Sequence, residues 1–191
     1  MSMNHPIPAT PPVLPLPAAL LDDGYRLRAE TDADLPFLRA LYGSTRDEEL
    51  AQLATWSGAQ KQAFIAQQFD AQRSHYRHYF PNCAFDVIEQ HGQPVGRFYL
   101  DRRATQLHVI DIALMPQWRG IGLGTAILTA LIKTAAQAGL GVGIFVEKFN
   151  PALRLYRRLG FVEIADTGVY LEMEQIISGD PGAGGAPANV S

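Results

Sequence analysis

Residues 107 to 125, LHVIDIALMPQWRGIGLGT, constrain the chain more than any other stretch, because they pass from an apolar run through a glycine-rich turn into helix formers. Leu107 to Met115 carries only His108 and Asp111 as polar side chains, the pattern of a strand covered on both faces. Pro116 ends the run, since it lacks the N–H a ladder needs. Gly120, Gly122 and Gly124 then alternate behind Arg119, and TAILTALIKTAAQA continues as good helix formers. Alternate glycines permit positive φ and close approach of a ligand. The helix behind them aims unpaired N–H groups and its positive dipole end at the same loop. This is an anion site suited to a phosphate or pyrophosphate. The plainer alternative is a strand–loop–helix joint in which glycine only tightens the turn.

Two common phosphate loops do not fit. A triphosphate loop requires Lys directly after its last glycine, and Thr125 follows Gly124. A dinucleotide loop would place glycine where Thr125 stands, with an acidic residue near the end of the next strand. Gly141-Val142-Gly143-Ile144 occupies that region instead, and Glu147 comes too late.

Upstream, residues 1–23 hold prolines at 6, 8, 11, 12, 15 and 17 and read as a flexible arm, with Val13, Leu14, Leu16, Leu20 and Leu21 able to dock on a neighbour. Residues 178–191 read as a disordered tail. Between them, residues 24–177 form one domain. Tyr25–Ala29 alternates like a strand, and Thr31 to Asp34 caps a helix carrying Leu35, Phe37, Leu38, Leu41 and Tyr42. Residues 43–49 form a polar break. Ser57 and Gln60 open a long helix to Phe80 with a capping box. That helix ends in aromatic and basic residues, either as simple packing or as a wall of an acceptor pocket together with the break. His75 and His78 share a face there, yet no third ligand stands at metal spacing.

Strands at 84–90 and 94–102 pair through His91-Gly92, and a helix over 122–138 stops at Gly139. A short strand at 141–146 leads to a helix opened by Asn150 as cap and Pro151 at its first position. Strands at 161–165 and 169–174 close the domain. The order β-α-α-β-β-β-α-β-α-β-β describes a mixed sheet with helices on its faces, α/β or α+β.

The loop Arg119-x-x-Gly122-x-Gly124 resembles the acyl-CoA loop of the GCN5-related N-acetyltransferases, the GNAT superfamily. Asn150-x-Ala152-x-x-x-Tyr156-x-x-x-Gly160-Phe161 is similar to the C-terminal motif of that superfamily. The resemblance covers residues 25 to 174 and implies a splayed sheet of about seven strands flanked by about four helices. It implies acetyl-CoA as acyl donor, its pantetheine between the strands ending at Leu114 and Val146. Ile112, Ala113 and Leu114 would face the arm, and Arg119, Gly120, Ile121, Gly122, Leu123, Gly124 and Thr125 the pyrophosphate. Asn150 and Ala152 would also contact the cofactor. Tyr156 stands where the family keeps a proton donor for the departing thiolate; helix packing is its other reading. Arg154, Arg157 and Arg158 read as a solvated face in preference to partners of the cofactor phosphates.

Attack by an amine also requires a proton acceptor. His108 lies near the position of a catalytic glutamate in histone-type members and, by strand alternation, shares a face with Ile110, Ile112 and Leu114; a buried structural histidine is the other reading. Glu48 and Glu49 are alternatives if the break folds over the pocket, and Asp111 is placed on the opposite strand face. Cys83 is remote from both motifs, which argues against an acyl-cysteine.

The expected activity is therefore transfer of an acetyl group to a primary amine of a small molecule or peptide. The alternative is an inactive CoA-binding sensor or interaction module. A net charge of −3 argues against nucleic acid, and no apolar run is long enough for a membrane span. The single cysteine excludes an internal disulfide and a cysteine-rich metal site. With no signal-peptide pattern at the N-terminus, a cytoplasmic protein is expected. The apolar arm is compatible with a homodimer.

Overall fold

Seven strands assemble into one sheet in a computed structural model that describes residues 14–175. They are β1 (Tyr25–Ala29), β2 (Cys83–Gln90), β3 (Gln93–Arg102), β4 (Gln106–Leu114), β5 (Gly141–Glu147), β6 (Phe161–Asp166) and β7 (Tyr170–Gln175), in the order β1-β2-β3-β4-β5-β7-β6. Every neighbouring pair is antiparallel except β4 with β5. A parallel pair needs a long crossover, and α5 (Leu123–Gln137) supplies it.

Five further α-helices stand among the described residues: α1 (Ala18–Asp22), α2 (Leu35–Ser44), α3 (Asp47–Gln52), α4 (Gly58–Tyr79) and α6 (Leu153–Arg158). Two of these, the short α1 and α3, go beyond the four expected. Asp34 receives Thr31 in the anticipated capping arrangement and grips the Arg28 guanidinium at 2.7 and 2.8 Å. Ser57 and Gln60 form their capping box at the start of α4.

The described part of the arm expected over 1–23 is docked on the domain. Leu14 and Leu16 are buried in the main core, Leu20 packs against it, and Arg26 donates to the Leu21 carbonyl at 2.7 Å. Proline fixes φ without forbidding burial of the leucines between. Residues 1–13 and the expected tail at 178–191 lie outside the described residues.

One sheet face packs against α5 and α6 through Leu107, Val109, Ile127, Leu131, Ile144 and Tyr156, among others. The opposite face meets α4, where Tyr76 packs edge-on against Tyr99; Leu38, Tyr42, Ile65 and Phe69 join α2 to α4.

Two irregularities shape the middle of the sheet. First, β4 pairs with β5 only from Gln106–Gly141 to Val109–Ile144, although β4 continues to Leu114 and β5 to Glu147. The strands part into a V. Second, Asp111 opposes Tyr99 while Val109 opposes Leu100, so Ile110 is a bulge. The extra residue reverses the alternation, which corrects the face assigned to His108. Ile112 and Leu114 share the α5 side with Leu107 and Val109, whereas His108 lies with Asp111 on the other side, opposite Asp101 and Tyr99.

Candidate active site

The V has one polar edge along β4. Met115 donates its N–H to the Val95 carbonyl, and the Ala113 carbonyl crowds Gly96, so both residues turn their backbone toward β3. Alternation then turns the backbone of Ile112 and Leu114 into the V. Of the three β4 residues expected along the cofactor, Ala113 therefore has its hydrogen-bonding groups directed elsewhere.

At the wide end stands the glycine loop. Gly120 and Gly122 adopt φ of 74° and 93°, a region that penalises any side chain. Gly122 is the residue before α5, and Ala126 is the first to donate back, to the Gly122 carbonyl. Among the described residues no backbone carbonyl accepts from Gly120 through Thr125, so these N–H groups form a cradle of partial positive charge. Arg119 differs from the expectation. Its N–H bonds the Pro116 carbonyl, while its guanidinium donates to the Leu114 carbonyl at 2.7 Å and to Ser44 Oγ at 2.7 Å. It fastens the loop rather than presenting a free charge.

Tyr156 approaches from the other strand's side. It is buried, its ring 5.8 Å from that of Phe161, and among the described residues nothing hydrogen-bonds its hydroxyl. Burial, reinforced by Asp111, raises its pKa far above the ordinary value, so the phenol keeps its proton. Asn150 receives the Ala152 N–H on Oδ1 at 2.9 Å and the Leu153 N–H on its carbonyl. The expected helix thus begins with a turn, and α6 proper starts at Leu153.

His108 is buried one rung below the end of the β4–β5 ladder, beside Phe145 at 5.0 Å between ring centroids. Desolvation, with Arg103 nearby, lowers its pKa to about 4. It is neutral at pH 7. Asp111 Oδ2 accepts from Arg97 at 2.7 Å and from the Tyr76 hydroxyl at 3.1 Å. Tyr76 and Arg97 emerge only from the fold, because the bulge that turns Asp111 toward them leaves no mark in a single strand's pattern.

The polar break becomes an elbow across the V. Ser44 holds Arg119 on one lip; Arg46 lies 3.9 Å from Glu147 on the other and 2.7 Å from Glu49. Glu49 is thus exposed and paired, away from the role of a free base, and the side chain of Glu48 lies outside the described residues. A cavity of about 480 Å³ between α2, α3 and α4 is lined by Ser44, Leu50 and Ile65, but neither Tyr156 nor His108 reaches it. Cys83 is buried with its thiol pushed up to about 12, too basic to offer a thiolate.

The acetyltransferase (GNAT) family model matches residues 48–161, from within α3 to the first residue of β6. The chain belongs to the GNAT acetyltransferase family. An N-alpha-acetyltransferase of Sulfurisphaera tokodaii is 31% identical over 97 residues, spanning 43% of this chain and 58% of that relative. The PaiA N-acetyltransferase of Thermoplasma acidophilum, solved in complex with coenzyme A, shares the fold with a TM-score of 0.59 at 16% identity, over 79% of this chain and 98% of that one. The ribosomal-protein-S18-alanine N-acetyltransferase of Escherichia coli does so with a TM-score of 0.53 at 20% identity, over 83% and 97%. The GNAT sheet expected from the sequence is thus present, with two more short helices than expected. Among the described residues no helix is long and apolar enough to cross a membrane.

Proposed function

We propose that this GNAT protein is an acetyl-CoA-dependent N-acetyltransferase acting on a primary amine of a small molecule or peptide, in the cytoplasm. The observation that carries the reading is the V between β4 and β5, with the backbone of Ile112 and Leu114 turned into it and the cradle of Gly120–Thr125 at its mouth. Its edges suit an extended chain carrying amides and a pyrophosphate, because an unpaired strand edge pairs with amides and a helix N-terminus with phosphate. Bound acetyl-CoA supplies an acetyl thioester.

The residues then have distinct tasks. Ile112 and Leu114 align the donor by backbone bonds, and the N–H groups from Gly120 to Thr125 hold its phosphates. As the amine nitrogen bonds to the acetyl carbon and the carbon–sulfur bond breaks, Tyr156 gives a proton to sulfur. His108 takes one from nitrogen at the adduct, which is far more acidic than a free ammonium and so within reach of a weak base. The Tyr156 phenol recovers its proton from solvent. Free, unlocked hydroxyl geometry at Tyr156 favours an enzyme over a silent CoA-binding module.

The test is release of free thiol from acetyl-CoA with a panel of polyamines, amino acids and short peptides, alongside thermal denaturation. Acetyl-CoA is expected to raise the melting temperature and at least one amine to accelerate thiol release. Stabilisation without turnover on any amine would return the protein to the sensor reading.

A further inference from the structure

His108 leaves one buried polar atom unaccounted for. Nδ1 lies 3.1 Å from Gln106 Oε1, while Nε2 is buried without a partner. Such an atom is costly unless something uses it. The Gln106 amide is itself oriented, because its Nε2 donates to Glu174 Oε1 on β7 at 3.4 Å, which leaves Oε1 to face the imidazole. An amide oxygen only accepts, so Nδ1 must carry the proton and Nε2 the lone pair. Space for the contact comes from β5. A Cβ at Gly143 would stand 2.7 Å from Nδ1 and closer still to Gln106 Oε1, so only glycine admits the bridge.

We propose that Gln106 is a positioning residue that, held by Glu174 across Gly143, fixes His108 in the Nδ1–H tautomer and keeps the Nε2 lone pair free of any protein partner, as a base for the attacking nitrogen requires. This rests on the acetyltransfer reading for its catalytic part; the tautomer itself does not. The proton passes from the adduct nitrogen to Nε2, giving an imidazolium whose Nδ1–H stays on the Gln106 oxygen. It leaves to solvent when product departs. A histidine with the opposite tautomer would present N–H toward nitrogen and accept nothing.

Charged groups around the ring are Asp101, its partner across β3, Arg103 in the following turn, Asp111 on its own strand and Glu174 behind Gln106. Replacing Gln106 by Glu adds a carboxylate at Nδ1, which keeps the tautomer and raises the imidazole pKa. Replacing it by Leu keeps bulk and removes the acceptor.

The experiment reads ¹⁵N shifts and ring couplings of His108 in the full-length protein at pH 7, beside steady-state kinetics with the best amine of the panel. The wild type is expected to show protonated Nδ1. Gln106→Leu should populate the Nε2–H form and lower kcat on the order of tenfold or more, with KM for acetyl-CoA changed by less than about twofold. Gln106→Glu should keep the tautomer, restore most of kcat and move the acidic limb of the pH–rate profile upward. An Nε2–H wild type overturns the proposal. So does a Gln106→Leu variant that loses turnover with its tautomer intact, or one that changes tautomer with kcat intact. If Gln106→Leu fails to fold, the wild-type spectrum and the Gln106→Glu profile decide. Wild-type protein that turns over no amine overturns the catalytic part, while its spectrum still decides the tautomer.

Discussion

Tyr156 has two properties that rarely coincide in a buried tyrosine: its hydroxyl is free of hydrogen bonds among the described residues, and its surroundings hold the proton on. Removing that hydroxyl should leave packing intact. Tyr156→Phe is therefore expected to keep the melting temperature within a degree or two and to lower turnover by roughly 10²; unimpaired turnover would return the residue to packing beside Phe161. At the cradle, Gly124 separates fold from function better than its neighbours do. Its φ is ordinary and a Cβ there meets only Leu114 Cδ1, at 3.9 Å, whereas Gly120 and Gly122 would be strained by any substitution. An acid in the first turn of a helix is favourable to the helix itself. Gly124→Glu should fold at least as well as the wild type yet lose the stabilisation by acetyl-CoA in a thermal shift assay. Motif spacing was enough to single out Gly124 and Tyr156 as candidates. The contacts of Arg119 and Gln106 were out of its reach, because each depends on a partner remote in sequence, Ser44 and Glu174.

At the scale of elements, periodicity located β1 to its residue boundaries and α4 to within one residue, since apolar alternation and a capping box are local signals. It failed where structure depends on what lies opposite. The bulge at Ile110 exists only in the pairing of β4 with β3, so alternation carried through it put His108 on the wrong face. Likewise α1 has no fully buried residue of its own and is held by partly buried Leu20 and by flanking Leu14 and Leu16, which the neighbouring prolines disguised. Leu14→Ala should cost about 2–5 kcal/mol, the usual range for a buried leucine, measured by denaturant unfolding. Deletion of residues 1–20 should lower the melting temperature by several degrees, and an unchanged value would contradict the docking.

For the whole molecule, two buried groups titrate in opposite senses. His108 has its pKa lowered from 6.5 to about 4, so the unfolded chain takes up a proton first as pH falls, and stability is lost through that window. Asp86 has its pKa raised from 3.8 to about 6 by burial and then Glu30, so stability is lost as pH rises through its window. Each shift corresponds to about 3 kcal/mol, and between pH 4 and 6 they largely offset. His108→Gln should therefore make the protein lose stability from pH 4 to 6, whereas Asp86→Asn should make it gain. Unfolding at fixed denaturant across this range reads both slopes, and parallel profiles would refute the assignment.

The elbow joining α2 to α3 touches both lips of the V, Ser44 on Arg119 and Arg46 toward Glu147. A wedge driven between β4 and β5 thus pulls on a brace built from a different part of the chain. On the proposed binding mode, occupancy of the cleft would be felt at α3, a short helix that reaches the neighbouring core only through Leu50. Amide hydrogen exchange in residues 45–52 should slow when acetyl-CoA binds and should respond less in Ser44→Ala/Arg46→Ala, where only the Arg119 bond to the Ser44 carbonyl is left of the brace. A donor-loaded protein would then present a stiffer rim to an arriving amine than an empty one, which orders the two encounters in time.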